Sequence, residues 1–346
     1  MPSRITQQEI FLPFSTMPQP LSPSEAKRVL IVILNWNSPE ETLSAVNSVL
    51  EMDYPNYSLL IIDNGSTDHS AEALEQIEDC RIQLIRLPQN MGFTGGCNIG
   101  FDIALKENVD YVWLLNSDSV TEATTLSSLV RTAEEDSRIG LVSPLIASLQ
   151  RPSIFIYAGG YFDAQTPACR STRDPQVAVR WASEHRESIL LLGTALLIKV
   201  KLIQRIGMLD AKLFAYWEDT DYSMRSNKAG FLNVVDMTAT IYHSEKFPTD
   251  SPQDIRPHFW YYVARNEIRF WKKHAGYFSR LRPLWWTYKL QLKHLRLVQG
   301  AETTQQAIFA GIWDGWRNRT GPYSTERRMP RWVMRVLEIL SGIKRG

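Results

Sequence analysis

Three short runs carry side chains able to do chemistry. Asn116-Ser117-Asp118 ends the apolar run Tyr111-Val112-Trp113-Leu114-Leu115, and Asp63-Asn64-Gly65-Ser66-Thr67-Asp68 ends Tyr57 to Ile62. Glu218-Asp219-Thr220-Asp221 follows Phe214-Ala215-Tyr216-Trp217. An apolar run that stops at polar residues reads as a buried strand. Its end lies on the carboxyl edge of the sheet, where open α/β sheets bind ligands. Asn116 and Asp118, two residues apart there, suit a divalent cation that shares its oxygen ligands with a diphosphate. Asp63 or Asn64 can accept from the imide N–H of uracil or thymine. Glu218 and Asp219 belong at the mouth of a helix, where the positive dipole end favours carboxylates, and a carboxylate there can serve as a general base. Asp221 and Arg225 are spaced for an ion pair on that helix. Taken singly, each run is also an ordinary turn or helix cap.

Two further features are weaker. Asn90-Met91-Gly92-Phe93-Thr94-Gly95-Gly96-Cys97-Asn98-Ile99-Gly100 sits between a strand and a helix. Gly92, Gly95 and Gly96 allow backbone to approach a ligand closely, and a helix start offers N–H groups to phosphate. The segment is neither a dinucleotide fingerprint nor a Walker loop, and a glycine-rich connector explains it equally well. His243 follows the strand Ala239 to Tyr242. A lone histidine is more often structural, but it can share a cation with a carboxylate.

The elements that must position these groups alternate. Val29 to Leu34, Tyr57 to Ile62, Ile82 to Leu87 and the run before Asn116 are strands. Between them lie a helix opened by Ser38-Pro39-Glu40-Glu41 as a capping box, a helix over Ser70 to Ile77, and one over Gly100 to Lys106. A helix over Glu122 to Glu135 and a strand end at Gly140 to Pro144 follow. Residues 150–187 read as a loop or small hairpin insertion, and Ile189 to Ile198 as one core strand. The alternation predicts right-handed βαβ units and a mainly parallel sheet.

The chain has 346 residues, enough for one large α/β domain with an appendage. Cys80, Cys97 and Cys169 are too scattered for a zinc site or a disulfide framework, which fits a reducing cytosol. No run approaches the length of a membrane span. Residues 1–27, rich in Pro, Ser and Gln, read as a flexible N-terminal arm. The net charge of +1 hides an asymmetry: residues 256–346 hold 18 Lys and Arg against 5 Asp and Glu, and seven of the eleven tryptophans. A basic, aromatic surface suits anionic lipid or nucleic acid; a solvated helical face over buried Trp accounts for the same composition.

The ordered set of motifs resembles a known family. Asn35-Trp36-Asn37 after the first strand, Asp63 to Asp68, Asn90-x-Gly-Phe-x-Gly-Gly-x-Asn-x-Gly100, Asn116-Ser117-Asp118, Glu218-Asp219-x-Asp221-x-x-x-Arg225 and His243 are similar to inverting family 2 glycosyltransferases of the GT-A fold. The likeness is greatest to the bacterial rhamnosyltransferase branch and spans roughly Val29 to His274. It implies a Rossmann-like, mainly parallel α/β sheet flanked by helices over residues 28–255. A basic, aromatic-rich helical extension over 256–346 would follow.

Carried over by position, the resemblance implies a nucleotide-sugar site made by Asn35, Trp36, Asp63, Asn64, Asn90, Gly92, Gly96, Asn98, Asn116 and Ser117. Trp36 would lie on the base. Asp118, with Asn116 in place of the motif's first Asp and with His243, would hold Mg²⁺ or Mn²⁺. Asp219 would be the catalytic base, with Glu218 beside it. Tyr261-Tyr262-x-x-Arg265-Asn266 matches a segment of the same branch without an evident role. The implied donor is a dTDP- or UDP-sugar, with rhamnose expected and a UDP-hexose the alternative. The implied acceptor is a glycan or a polyprenyl-diphosphate-linked sugar in cell-surface polysaccharide synthesis. The expected location is cytoplasmic, with peripheral membrane contact and no nucleic acid partner.

Two rivals are weighed. A non-catalytic module of the same fold could dispense with acids, yet Asp118, Glu218 and Asp219 are present. A nucleotidyltransferase needs a glycine-rich basic loop after the first strand, where this chain has Asn35-Trp36-Asn37-Ser38-Pro39.

For the basic third, Arg282, Lys289, Lys293 and Arg296 form one helical stripe beside Leu281, Trp285, Tyr288, Leu292 and Leu295. This is an imperfect amphipathic helix, suited either to core packing or to a membrane interface.

Overall fold

Strands that are apolar on both faces need cover on both faces, and the chain supplies it. The computed structural model describes residues 26–166, 168–244, 256–275, 291, 294–295, 298, 302–326, 329–330 and 332–336. Its strands are β1 (Val29–Asn35), β2 (Tyr57–Asp63), β3 (Ile82–Arg86), β4 (Tyr111–Asn116), β5 (Ser119–Thr121), β6 (Ile139–Ser148), β7 (Phe155–Tyr157), β8 (Gly159–Asp163), β9 (Ala168–Thr172), β10 (Ile189–Leu190), β11 (Ala195–Lys199) and β12 (Leu232–His243). Its helices are α1 (Pro39–Leu50), α2 (Ser70–Glu75), α3 (Gly92–Glu107), α4 (Thr125–Glu134), α5 (Pro175–Glu184), α6 (Val200–Ile206), α7 (Glu218–Lys228), α8 (Pro257–His274) and α9 (Glu302–Trp316).

The main sheet runs β3-β2-β1-β4-β11-β6-β12-β5, with β7 beside β6. β1, β2, β3 and β4 are mutually parallel, as are β6 and β12; β11 and β5 run antiparallel to their neighbours. One apolar layer joins the sheet to α1, α2 and α4 through Val46, Val49, Leu74, Leu126 and Leu129. The other joins it to α3, α6 and α7 through Phe101, Ala104, Leu202, Ile203 and Tyr222. Register brings the chemistry to one edge. Asn35 pairs with Asp63, Leu34 pairs with Asn116, and His243 pairs with Ser119 just beyond Asp118.

Several local expectations give way. Ser38 makes no side-chain cap, so the capping box does not form; its carbonyl instead accepts from the Thr42 amide and hydroxyl. α3 begins at Gly92 rather than Gly100, so the glycine-rich segment is the first part of the helix and not a loop before it. Residues 150–187 make more than a hairpin: β8 and β9 join β10 in a separate three-stranded sheet, with α5 alongside. The apolar run Ile189 to Ile198 is two strands in two sheets, separated at Leu191-Leu192-Gly193-Thr194. Periodicity cannot see that break, because both halves are buried and apolar.

α8 and α9 pack as a pair through Trp260, Ala264, Ile268, Ile308 and Ile312. The approach is close: a Cβ on Gly311 would come within 2.4 Å of the Tyr261 carbonyl oxygen. α8 also faces the main body, where Phe270 and Trp271 meet Leu190 and Met224. Of the N-terminal arm only Ala26 and Lys27 are described, and of the amphipathic stretch 281–297 only Gln291, His294 and Leu295; the rest lies outside the described residues. No helix among the described residues is long and apolar enough to cross a membrane.

Candidate active site

The edge formed by β1, β2 and the start of α3 is stitched by its own amides. Asn35 is wholly buried; its Nδ2 donates to Asp63 Oδ1 at 2.9 Å and Ser66 Oγ at 3.1 Å, and its Oδ1 accepts from Thr42 at 2.8 Å. Asn64 accepts from the Met91 amide at 2.9 Å and donates to Asn90 Oδ1 and the Gly92 carbonyl. Asn90 Oδ1 takes the Gly92 amide at 2.7 Å, and the Thr94 amide goes to the Phe214 carbonyl. The N–H groups of Met91, Gly92 and Thr94, at the start of α3, therefore have protein acceptors.

Asn98 makes a two-way bond with the Leu209 backbone, 3.0 Å in each direction, and so ties down the segment leading to α7. Gly96 and Gly100 serve packing: an added Cβ would lie 2.3 Å from Leu34 Cδ1 and 2.6 Å from Val32 Cγ2. Gly92, at φ +77°, makes room for Phe214. Trp36 is 40% exposed, with its ring edge toward His258.

Asn116 closes β4, and Ser117 and Asp118 form the tight turn into β5. The end of β12 returns beside that turn. Asp118 Oδ1 lies 3.0 Å from His243 Nε2, and the Asp118 carbonyl accepts the Ser244 amide. Residues more than a hundred positions apart thus meet as a carboxylate–imidazole pair. No group of three or more His, Cys, Asp or Glu side chains sits at metal-holding spacing among the described residues. A two-residue oxygen-and-nitrogen set still fits a hard cation whose other ligands are diphosphate oxygens and water.

The acid pair opens α7. Asp219 is held in one orientation: Oδ2 accepts the Gly193 amide at 2.9 Å, and Oδ1 accepts the Thr220 amide at 2.6 Å and the Thr220 hydroxyl at 3.1 Å. Gly193 is small for a reason, since a Cβ there would come 3.2 Å from Asp219 Cβ. Glu218 is buried, and its Oε2 has no hydrogen-bond partner among the described residues.

Burial, then the neighbouring Asp219 charge, pushes the Glu218 carboxyl up to about 8. Burial also raises Asp219, but the bonds from Gly193 and Thr220 oppose it. Burial disfavours the charged form of both acids, and the backbone and hydroxyl donors at Asp219 favour its anion, whereas Glu218 has the Asp219 charge beside it. Asp221, by contrast, is structural. It pairs with Arg225 at 2.9 Å as spaced, and also with Lys273 and His274 of α8 at 2.8 and 2.7 Å. Those cations and bonds hold it well below the usual carboxylate range against the cost of burial.

A cavity of about 1130 Å³ is lined by Asn116 and His243, by Gly193, Glu218 and Asp219, and by Cys169, Glu267 and Trp271. Gly193 and Glu267, not among the residues expected from sequence, also line the cavity, and Arg265 and Asn266, named above without a role, bind backbone carbonyls of residues 213–216.

Residues 30–155 match the family model described as glycosyl transferase family 2. An N-acetylglucosaminyl-diphospho-decaprenol L-rhamnosyltransferase of Mycobacterium tuberculosis is 25% identical over 266 residues, which is 67% of this chain and 80% of that protein. A galactofuranosyltransferase, GlfT1, of the same species is 22% identical over 204 residues, covering 58% and 65%. Among solved structures, a mannosyltransferase from Pyrobaculum calidifontis in complex with GDP-Man and Mn²⁺ superposes with a TM-score of 0.56 at 15% identity, over 87% of this chain and 91% of that one. GalNAc-T7 with UDP, GalNAc and Mn²⁺ gives 0.58 at 16%, over 82% and 55%. Residues 30–155 thus resemble family 2 glycosyltransferases, and the chain shares the GT-A fold of the two solved transferases.

Proposed function

We propose that the protein moves a sugar, with rhamnose the first choice, from a dTDP- or UDP-linked donor to a hydroxyl of a glycan or polyprenyl-diphosphate-linked acceptor, with inversion, in cell-surface polysaccharide synthesis. The observation that carries this reading is one cavity lined by Asn116, Glu218, Asp219 and His243, with Asp118 paired to His243. The rhamnosyltransferase relative supports the donor and the lipid-linked acceptor, and the Mn²⁺ complexes among the fold neighbours support a divalent cation.

In this reading the base lies beneath Trp36 and near Asp63 and Asn64, and the diphosphate lies toward Asn116 and Ser117. Asp118 and His243, with Asn116 adjacent, would hold Mg²⁺ or Mn²⁺, which when bound offsets the negative charge of the leaving nucleoside diphosphate. Asp219, fixed by Gly193 and Thr220, accepts the proton of the acceptor hydroxyl. The freed oxygen attacks the anomeric carbon from the face opposite the diphosphate. The new C–O bond forms as the old one breaks, and the configuration inverts. Glu218 stays protonated, so the site does not place two full negative charges side by side.

A non-catalytic nucleotide- or carbohydrate-binding module is the weaker reading. It leaves a buried carboxyl with an unpartnered oxygen beside an oriented carboxylate, an expensive arrangement with no use.

The test offers dTDP- and UDP-sugars with Mn²⁺ or Mg²⁺ and a polyprenyl-diphosphate-linked acceptor. Free nucleotide is followed, and the product's anomeric configuration is read by NMR. Transfer that stops in chelator and yields the opposite anomer supports the reading. Undiminished turnover in excess chelator removes the cation from it, and retained configuration removes the single displacement.

A further inference from the structure

We propose that Arg265 and Asn266 are positioning residues that set the acid pair at its working geometry by clamping the loop Leu213–Trp217. The inference rests on the proposed reading of Asp219 and gives a role to the Tyr261-Tyr262-x-x-Arg265-Asn266 segment.

The loop needs holding. Phe214, Tyr216 and Trp217 all have positive φ, at 67°, 66° and 73°. Side chains with a Cβ avoid that region, and they stay there only when their surroundings leave no alternative. Trp217 is also the residue from which α7 starts, so Glu218 and Asp219 inherit their direction from this strained turn. No side chain caps α7 at Trp217, so the helix start depends on what grips the loop.

The grip comes from α8. Asn266 Nδ2 faces the carbonyls of Leu213, Ala215 and Tyr216 at 2.9, 2.7 and 2.8 Å. An amide nitrogen has two hydrogens, so the three acceptors share them, and the loop must be tightly curled for all three to reach. The amide cannot turn over, because Arg265 Nε donates to Asn266 Oδ1 at 2.9 Å. Arg265 Nη2 adds a second bond to the Leu213 carbonyl at 2.6 Å, and Nη1 holds the Gly321 carbonyl at 2.7 Å. Both residues are wholly buried.

The tyrosines complete the seat. The guanidinium lies 5.2 Å from the Tyr261 ring and 4.9 Å from the Tyr262 ring, and Tyr262 stacks on Phe214 at 5.3 Å. The loop's opposite side rests on α3, where Phe214 occupies the space over Gly92 and its carbonyl takes the Thr94 amide. One strained loop is thus held between α8 and the Gly92–Thr94 segment, with the acid pair at its exit. Two adjacent residues of a single helix hold a five-residue loop in which three side-chain-bearing residues have positive φ.

The experiment compares wild type with Asn266→Ala and Arg265→Lys. For Asn266→Ala, kcat for transfer falls by about 100-fold, the scale expected when reacting groups are displaced by about an ångström. The KM for the donor and the Kd for free UDP or dTDP stay within about threefold, because the loop's effect is on the acid pair and not on the base. Hydrogen exchange of the amides of residues 214–220 speeds up, while exchange in β1, β2 and β4 does not. Arg265→Lys keeps the cation but cannot hold the Asn266 oxygen and Leu213 together, so its kcat falls between the two. It carries the comparison if Asn266→Ala does not fold.

A kcat within threefold of wild type in a folded variant overturns the proposal. So does a fall in donor affinity equal to the fall in kcat, which marks general support of the fold. If wild type transfers no sugar from any donor, the reading of the acid pair fails on its own. The exchange of residues 214–220 then decides the clamp, and unchanged exchange in the variants overturns it.

Discussion

Glu218→Gln replaces a buried titratable carboxyl with a neutral group of the same shape, and its effect on stability can be worked from the structure. Glu218 is 8% exposed, Oε2 has no partner, and burial with the Asp219 and Asp221 charges lifts its carboxyl from 4.5 to about 8. The folded state therefore keeps a proton that the unfolded chain releases above pH 4.5. Where the unfolded state binds fewer protons, stability falls as pH rises. The contribution is fully present below the unfolded value and is lost progressively up to the folded one.

The slope is about 1.4 kcal/mol per pH unit, so an upper limit of about 3 kcal/mol is lost by pH 7. Gln has no proton to release. Urea unfolding of both proteins between pH 5 and 8.5 measures the difference made by the acid pair, since groups outside it titrate alike in both. The expected result is a small difference at pH 5 that widens with pH, the variant being more stable by about 1–4 kcal/mol at pH 8. Parallel curves would refute the account of a protonated, buried Glu218.

Three further outcomes follow from the same geometry. Asp118→Ala should abolish the Mn²⁺-dependent part of UDP or dTDP binding in calorimetry, a loss of about 10- to 100-fold, while leaving metal-free binding in place. Gly96→Ala drives a methyl to 2.3 Å from Leu34 Cδ1 and should cost about 1–3 kcal/mol in urea unfolding, the usual scale of overpacking. The peripheral-membrane expectation moves to described residues. Trp316, Trp332 and Val336 are 51%, 64% and 46% exposed, near Arg317 and Arg335, so liposome binding should rise with anionic lipid, fall with salt, and weaken in a Trp316→Ser, Trp332→Ser variant.

What the sequence made legible was the frame of the edge. Long apolar runs that end in polar residues put Asp63 and Asn116 at strand ends, and Trp217-Glu218-Asp219 at a helix mouth, because those signals are local. The Asp221–Arg225 pair was legible for the same reason. The partners of the asparagines were not. Asn98 meets Leu209, and Asn266 meets Leu213 to Tyr216, through bonds that span scores of residues. A Gly-rich stretch reads alike whether its lack of side chains serves a phosphate or a neighbouring strand, and Leu34 and Val32 decide for the strand at Gly96 and Gly100. Gly193 lies inside the apolar run Ile189 to Ile198, and only the fold shows that its amide donates to Asp219.

The account stands or falls on the division of labour within the acid pair, and side-by-side kinetics of Asp219→Asn and Glu218→Gln measure it. Asp219→Asn keeps the shape and the site but removes the proton acceptor, so kcat should fall by about 10²- to 10⁴-fold with donor KM nearly unchanged. Glu218→Gln replaces a group already neutral, so kcat at pH 7 should stay within about tenfold of wild type. The reverse ranking, with Asp219→Asn active and Glu218→Gln dead, would contradict it.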